Sequence, residues 1–333
     1  VTSCLAACKK IKISKSLHSF IGSFSDKDYD EFQWARLVCK KYSIPYTRVN
    51  INENISSEFI LESIECLDDL CDNPFIGQYL VYNKINECNY KVSIEGHGGD
   101  ELFGGYANHV TSLIGDLITQ RKNAKRLCDA ILLLRDITNS FTNNQFNTQS
   151  ILLNTPLNIS ALRKNKTQKK LYLSNLLNYS DGCIKRSVPF IDHKLYAKES
   201  LLFKCLYEDF HYYTLPKILM NYDRLSMKNS VEIRSPFLDY RFVLKSFCAP
   251  VERKINKNQT KYFLRNNIPY IPLEIRNRKS KSGFTAPTVK YFSTVYTPLI
   301  NEIIHQKKFK ESRLFNGKLC CNMIENHISN KRV

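Results

Sequence analysis

Glycine and proline are scarce in this sequence, with 11 of each among 333 residues, which excludes collagen-like and low-complexity disordered chains. Long apolar runs are also absent, since no stretch reaches the ~18 residues that a membrane-spanning helix needs. No secretory signal segment is visible. The chain is 43% hydrophobic and 24% charged, which is enough for one large domain or two ordinary ones. We therefore expect a cytoplasmic globular protein.

Acidic residues are outnumbered, with 31 Asp and Glu against 49 Lys and Arg, so the net charge is +18. Such a charge favours anionic partners such as nucleotides, nucleic acid or a membrane surface. The basic residues are scattered along the chain, so the charge permits these partners without selecting one. None of the 12 cysteines forms a CxxC pair, and we predict reduced thiols in helices and core rather than a zinc site.

The N-terminal third alternates strand and helix patterns, which is typical of the βαβ units of a parallel sheet. Strands are predicted at Leu17–Phe24, Tyr46–Ile51 and Val92–Ile94. Helices are predicted at Ser3–Ile11, Asp30–Tyr42, Glu58–Leu70 and Gln78–Asn86. This rhythm predicts an α/β fold with a doubly wound parallel sheet, and we assign residues 1–106 to a nucleotide-binding part.

After Tyr106 the pattern changes to long amphipathic segments, which indicates helices. They are predicted at Val110–Arg121, Ala124–Phe141, Thr167–Leu177, Leu195–Phe210, Leu215–Lys228 and Tyr240–Phe247. Thr142–Asn158 is rich in Asn, Thr and Gln and predicts a loop. The basic last ~30 residues also have a helical pattern. We assign residues 107–333 to a mostly helical part beside the sheet.

The most informative segment is Glu95–Tyr106, in which five glycines surround Asp100 and Glu101. It follows the apolar run Tyr90–Ile94, which predicts a buried strand. Glycine lets backbone approach a ligand closely, and a carboxylate is a ligand for magnesium. A strand that ends in such a turn is where an open α/β sheet binds its ligand.

Three other features of the sequence are compatible with nucleotide chemistry, although each alone also fits a structural role. Ser3 lies near a predicted helix start, where it could simply cap the helix. The strand that contains Ile21 and Gly22 could lay its backbone against an adenine ring or be an ordinary core strand. Lys281 lies in the basic loop Lys279–Phe284, where it could stabilise charge on a phosphoryl oxygen or remain solvated.

Together these segments resemble the synthetase domain of the asparagine synthetase family, which belongs to the PP-loop ATP pyrophosphatases. The resemblance runs from about Val1 to about Pro287. The family's phosphate loop reads Ser-Gly-Gly-x-Asp-Ser, and its last three positions resemble Val1, Thr2 and Ser3, with Thr2 in place of Asp. We expect the Ser-Gly-Gly half of the loop and a glutaminase domain or subunit upstream.

The resemblance implies roles for individual residues. Asp100 is implied as the magnesium ligand, and Lys281, in the motif Lys-x-Gly-Phe, is implied to neutralise charge on pyrophosphate. His97 stands where asparagine-forming members commonly have Glu and β-lactam-forming relatives have Tyr, so it is a third catalytic candidate. The residues implied to contact ATP are Ser3, Ile21, Gly22, Glu95 and Gly96.

The implied function is an ATP- and Mg²⁺-dependent ligase that adenylates a carboxylate and then transfers ammonia, derived from glutamine, to form an amide. Aspartate is the default acceptor. Two alternatives stay open: amidation or cyclisation of another acid (surface polysaccharide, peptide or β-lactam type), and a nucleotide-binding remnant with impaired catalysis. We expect a small-molecule acid as partner, no membrane and no nucleic acid, because no RNA-binding signature is present; a homodimer stays open.

Overall fold

The computed structural model describes residues 17–27, 29–52, 55–68, 75–120, 124–140, 198–278, 284 and 288–329. The strands in this part are β1 (Ser19–Phe24), β2 (Tyr46–Ile51), β3 (Val92–Ile94) and β4 (Glu232–Arg234). The helices that precede β4 are α1 (Phe32–Tyr42), α2 (Ser57–Leu67), α3 (Ile76–Glu87), α4 (Gly99–Phe103), α5 (Ala107–Gln120), α6 (Ala124–Ser140), α7 (Leu201–His211) and α8 (Thr214–Lys228).

The remaining helices are shorter on average and follow β4. They are α9 (Tyr240–Cys248), α10 (Val251–Lys254), α11 (Tyr262–Asn267), α12 (Leu273–Arg276), α13 (Thr288–Ser293), α14 (Thr297–Ile304), α15 (Lys307–Lys310) and α16 (Gly317–Ile328), with a 3-10 turn at Pro236–Leu238. The predicted strands and helices in the described residues are confirmed, with shifted ends in most cases. The predictions for Ser3–Ile11, Thr142–Asn158 and Thr167–Leu177 lie outside the described residues.

The four strands form two parallel pairs, β1 with β2 and β3 with β4. In the first pair Ser19 lies opposite Tyr46, and in the second Val92 lies opposite Glu232. The ring of Phe20 lies 5.5 Å from that of Tyr90, just before β3, so the two pairs approach each other. The α/β class is confirmed, and the doubly wound arrangement stays a prediction.

Two features of β3 and β4 differ from the predictions. The strand β3 is present but not buried, because Val92 and Ile94 are 41% and 42% exposed. In the described residues the β3–β4 pair is not continued by a further strand, so the outward side chains remain at the surface. The strand β4 lies in the part predicted to be mostly helical, and its alternation of Glu232, Ile233 and Arg234 is too short to indicate a strand.

The main hydrophobic core contains residues from both the N-terminal and the C-terminal part of the chain. Phe24 and Ile51 from the first strand pair pack with Leu225 of α8 and with Tyr291 of α13 in one buried cluster. A second core lies between α5, α6 and α7. There the carboxylate of Asp116 in α5 accepts the backbone N–H groups of Leu201 and Leu202, at 2.7 and 2.9 Å, and so anchors the start of α7.

The helix α4, which follows β3, packs Leu102 and Phe103 against Leu264 in a further cluster. Among the described residues, the helices are all too short or too polar to cross a membrane. The division at Tyr106 stays a prediction, although β3 from one side of it pairs with β4 from the other.

Candidate active site at the end of strand β3

Glu95, the first residue after β3, is fixed by hydrogen bonds of both its backbone and its side chain. Its backbone N–H donates to the carbonyl of Arg234 at 2.9 Å, which extends the strand pairing by one residue. Its Oε1 accepts the hydroxyl of Tyr82 at 2.6 Å and that of Ser93 at 3.0 Å. Burial alone would raise the pKa of Glu95, but these donors and the adjacent His97 lower it below its ordinary value. Glu95 is therefore a fixed anion.

His97 completes this arrangement. Its Nε2 lies 2.7 Å from Oε2 of Glu95, and the two side chains are only 12% and 18% exposed. The Nε2 atom is buried, and its contact with the carboxylate is close without being a linear hydrogen bond. The imidazole meets the ring of Tyr222 edge-on at 4.6 Å. The ring is thus fixed from two directions.

Tyr222 is linked through Gln78 to Phe284. Its hydroxyl accepts from the Gln78 amide at 3.2 Å, and the same amide nitrogen donates to the carbonyl of Phe284 at 2.7 Å. Burial raises the pKa of Tyr222 to about 12, with the amide hydrogen bond opposing the shift and the charge of Glu95 adding to it. Tyr222 therefore stays neutral at physiological pH.

Asp100 lies in the glycine-rich turn, in the first turn of α4. Its Oδ1 is 2.9 Å from Nζ of Lys261, and a Cβ at Gly105 would overlap this carboxylate, so only glycine leaves room for it. Lys261 was not predicted from the sequence. It is one scattered lysine among many, and no motif distinguishes it.

The neighbouring carboxylate, Glu101, has a different environment. It is buried and accepts the hydroxyl of Tyr106 at 2.7 Å. Burial raises the pKa of Glu101, although the Tyr106 hydroxyl opposes this shift. Of the two adjacent acids, Asp100 is therefore the one that can face a ligand.

Phe284, the last residue of the Lys-x-Gly-Phe motif, lies against strand β1. A Cβ at Gly22 would overlap the Phe284 ring, so the absence of a side chain at Gly22 permits this contact. Ile21, the other predicted adenine contact, is buried beside it. Ser3 and Lys281 lie outside the described residues. The structure thus brings Glu95, His97 and Asp100 to one strand end, while the contacts of Gly96 and Gly22 with ATP stay predictions.

Asp100 suits magnesium, because Mg²⁺ is held in proteins by one or two carboxylates together with substrate phosphates. A second group of metal-type side chains in the described residues is His109, Cys205 and Asp209. Its donors are already engaged: His109 accepts the N–H of Tyr106 and contacts Asp209, and burial raises the pKa of Cys205 to about 12, so the thiol keeps its proton. Among the described residues this second group is therefore structural, and magnesium at Asp100 stays a prediction.

Comparison with known proteins shows which family the chain resembles. The family model described as "Asparagine synthase" matches residues 1–333. The chain is 25% identical over 329 residues to "Asparagine synthetase [glutamine-hydrolyzing] 1" of Bacillus subtilis, covering 95% of this chain and 49% of that protein. It is 38% identical over 71 residues to a "Putative asparagine synthetase [glutamine-hydrolyzing]" of Mycobacterium tuberculosis, covering 21% of this chain and 11% of that protein.

The class defined by this match is a PP-loop type, ATP-using domain. The chain belongs to the asparagine synthase family. It spans about half the length of the Bacillus relative.

Proposed function

We propose that this protein is an ATP-dependent ligase of asparagine synthetase type, which adenylates a carboxylate and converts it into an amide. The observation that carries the proposal is the placement of Asp100, in a glycine-rich turn directly after a parallel strand, within a domain of this family. The carboxyl edge of a parallel sheet is where α/β proteins bind nucleotides.

The proposed roles follow the strand-end geometry. Asp100 holds Mg²⁺, which when bound neutralises charge on the triphosphate. Lys261 holds Asp100 in place in the absence of ATP, at 2.9 Å. Glu95 contributes to ATP binding through its backbone carbonyl, since its carboxylate and N–H are already bonded. The other proposed nucleotide contacts are Ser3, Ile21, Gly22 and Gly96.

The proposed chemistry has two steps. An oxygen of the acceptor carboxylate attacks the α-phosphorus of ATP, giving an acyl-adenylate and pyrophosphate, whose charge Lys281 stabilises. Packing of Phe284 against Gly22 supports this role, because Phe284 follows Lys281 by three positions in the Lys-x-Gly-Phe motif. Ammonia then displaces AMP. The names of the relatives support glutamine as its source, supplied by a glutaminase domain or subunit, and a cytoplasmic location is part of the proposal.

Aspartate is the default acceptor, and a different acid is the second candidate. The observation that favours another acid is the Glu95–His97 pair, because a histidine in contact with a carboxylate stands at the strand end where asparagine-forming members commonly have Glu. Amide formation from a sugar acid, a peptide or a β-amino acid would use the same adenylation chemistry.

The test is carboxylate-dependent exchange of labelled pyrophosphate into ATP, measured with Mg²⁺ and first with aspartate. We expect Asp100→Asn to lower exchange by at least about 100-fold while the far-UV CD spectrum is unchanged. Asp223→Asn, at an exposed position on α8, is the matched control and should keep full activity. Full exchange in Asp100→Asn would refute the metal assignment.

Lys281→Ala separates binding from chemistry. Since the lysine is proposed to stabilise charge that develops on pyrophosphate, turnover should fall far more than ATP affinity measured by calorimetry. Equal losses in both would contradict this role. ATP binding without exchange for any acid would favour a nucleotide-binding remnant.

A further inference from the structure

A cavity of about 280 Å³ lies between α6, the turn that precedes α11 and the residues that follow α12. Its described lining includes neither Asp100 nor the Glu95–His97 pair, so it is separate from the strand-end site. The volume is slightly below that of most small-molecule pockets, which begin near ~300 Å³, so the cavity suits a small ligand. The charged side chains that line it are Asp136, Lys257, Arg265 and Arg278.

Arg265 brings an unused donor to this cavity. Its Nη1 donates to the carbonyls of Arg276 and Arg278, at 2.9 and 2.8 Å, so the guanidinium is fixed in place. Its Nε is buried and makes no hydrogen bond in the described part of the chain. Buried N–H groups nearly always have an acceptor, from the protein, a water or an ion. The cavity therefore lacks an acceptor that the fold itself does not supply.

Positive charge in the cavity is also not fully compensated. Arg278 is paired with Glu31 at 2.6 Å. No carboxylate of the described residues lies within ion-pair distance of Lys257 or Arg265. Burial, and after it the neighbouring charge of Arg278, lower the pKa of Arg265, and the charge of Asp100 opposes this shift. An anion bound beside Arg265 and Lys257 would compensate both cations.

Acceptor atoms in the same cavity restrict which anion fits. The Oδ1 atom of Asn258 is buried and makes no hydrogen bond in the described part of the chain. The carboxylate of Asp136, which lies 3.6 Å from Arg135, lines the cavity as well. A matching ligand must accept from Arg265 and donate to these oxygens. Hydrogen phosphate does both, whereas sulfate at neutral pH has no proton to donate.

The turn that carries two of these side chains is strained. Lys257 and Asn258 are left-handed, with φ of 44° and 59°, and Asn256 and Gln259 exchange two backbone hydrogen bonds around them, at 3.1 and 2.8 Å. Such a two-residue turn prefers Asn-Gly, so a lysine at its first position is unfavourable. Backbone strain of this kind is concentrated at ligand sites. The turn thus holds both side chains at the cavity at a conformational cost.

We propose that this cavity is a second anion site, which binds hydrogen phosphate. Arg265 and Lys257 bind its oxygens, and Asn258 and Asp136 accept from its hydroxyl. The small volume favours free phosphate over a phosphate group carried on a larger molecule. The site goes beyond the proposed ligase function and does not depend on it.

The test is calorimetric titration of the full chain in phosphate-free buffer with inorganic phosphate, sulfate or glycerol 3-phosphate. We expect one phosphate per chain, bound at least about tenfold more tightly than either of the other two anions, because each lacks a hydrogen bond or does not fit. Lys261, which pairs with Asp100, immediately precedes α11, the helix of Arg265. The titration is therefore repeated with saturating Mg²⁺ and ATP, which should leave phosphate affinity within about threefold of its value without them.

Two variants test the assignment without removing Arg265, which also holds backbone carbonyls. Asn258→Gly suits the turn, so the fold should be kept, and the preference for phosphate over sulfate should fall by about fivefold or more as an acceptor is lost. Lys257→Gln should weaken phosphate and sulfate alike, by about threefold to tenfold. Lys245→Gln, at an exposed lysine on α9, is the matched control and should bind as the wild type does.

The absence of phosphate binding at millimolar concentrations would overturn the inference, as would equal affinity for phosphate and sulfate. Unchanged binding in both variants would do the same. Complete displacement of phosphate by Mg²⁺ and ATP would assign the cavity to the nucleotide site and would also contradict a second site. A wild-type protein that binds phosphate but exchanges no pyrophosphate would sink only the proposed ligase function.

Discussion

The described residues contain two histidine–carboxylate pairs of similar length in different settings. His97 lies 2.7 Å from Glu95 at the end of β3, and His109 lies 2.9 Å from Asp209 between α5 and α7. The side chain of His109 is fully buried, whereas that of His97 is 12% exposed. The same pair of chemical groups therefore occurs once in a helical core and once at a strand end.

The difference lies in the remaining bonding capacity. His109 uses both ring nitrogens, because Nδ1 accepts the N–H of Tyr106 at 3.3 Å. Asp209 also accepts from Asn108 at 2.8 Å and from Thr214 at 2.6 Å, and these bonds lower its pKa although burial opposes them. That pair joins three helices and has nothing left for a ligand. The two pairs therefore differ in setting although their lengths are similar.

The largest expected effect is on the buried pair. Asp209→Ala would leave His109, Asn108 and Thr214 without their shared acceptor, so we expect a loss of about 3–5 kcal/mol in the free energy of unfolding. Urea denaturation measures this, with the exposed Asp223→Ala as control. A loss below about 1 kcal/mol would mean that the pair does not hold the helices together.

The second prediction concerns Lys254, a buried lysine that contacts α4. Nζ of Lys254 donates to the carbonyls of Leu102 and Ser246, at 3.1 and 2.5 Å, and burial lowers its pKa to about 8 from 10.5. Between these values the unfolded chain holds a proton that the folded chain has lost, so stability should rise with pH.

We expect this rise to be about 2 kcal/mol between pH 8 and 10. Above that range stability should fall with pH, because burial raises the pKa of Tyr82 and Tyr106. The folded chain then keeps tyrosine protons that the unfolded chain has lost. Lys254→Met should flatten the rise in denaturation experiments at several pH values, and Lys245→Met, at an exposed lysine, should keep it. An unchanged slope in Lys254→Met would contradict the assignment.

A smaller effect is expected at Tyr82, which positions Glu95. Tyr82→Phe removes one hydrogen bond to a buried carboxylate, and we expect it to cost about 1–2 kcal/mol. Thermal or urea unfolding would show this, with the exposed Tyr240→Phe as control. No difference between the two variants would mean that the hydroxyl of Tyr82 is not needed to hold the anion.

The smallest stability effect is expected at His97 itself. His97→Gln should change the free energy of unfolding by less than about 1 kcal/mol, whereas His109→Gln should cost about 2–3 kcal/mol because it leaves Asp209 buried with fewer partners. If the two variants were equally destabilised, the contrast between the pair in the helical core and the pair at the strand end would fail.

Much of the fold follows from local patterns. The bounds of β2 at Tyr46–Ile51 were predicted without error, since alternation and flanking turn residues mark its ends. The strand β4 was missed, because three residues with one apolar side chain give no periodicity, and its formation depends on pairing with β3, far away along the chain. The predicted burial of β3 was wrong for the same reason, since burial depends on what packs against a strand.

The sequence by itself determined the family, the α/β class and the turn in which Asp100 and His97 occur, because these depend on neighbouring residues and on motifs. Only the tertiary structure decided that Lys261 pairs with Asp100, that Glu95 contacts His97, and that both ring nitrogens of His109 are engaged. Each of those contacts depends on how the chain folds in three dimensions. No local sequence pattern predicts which side chains will meet in this way.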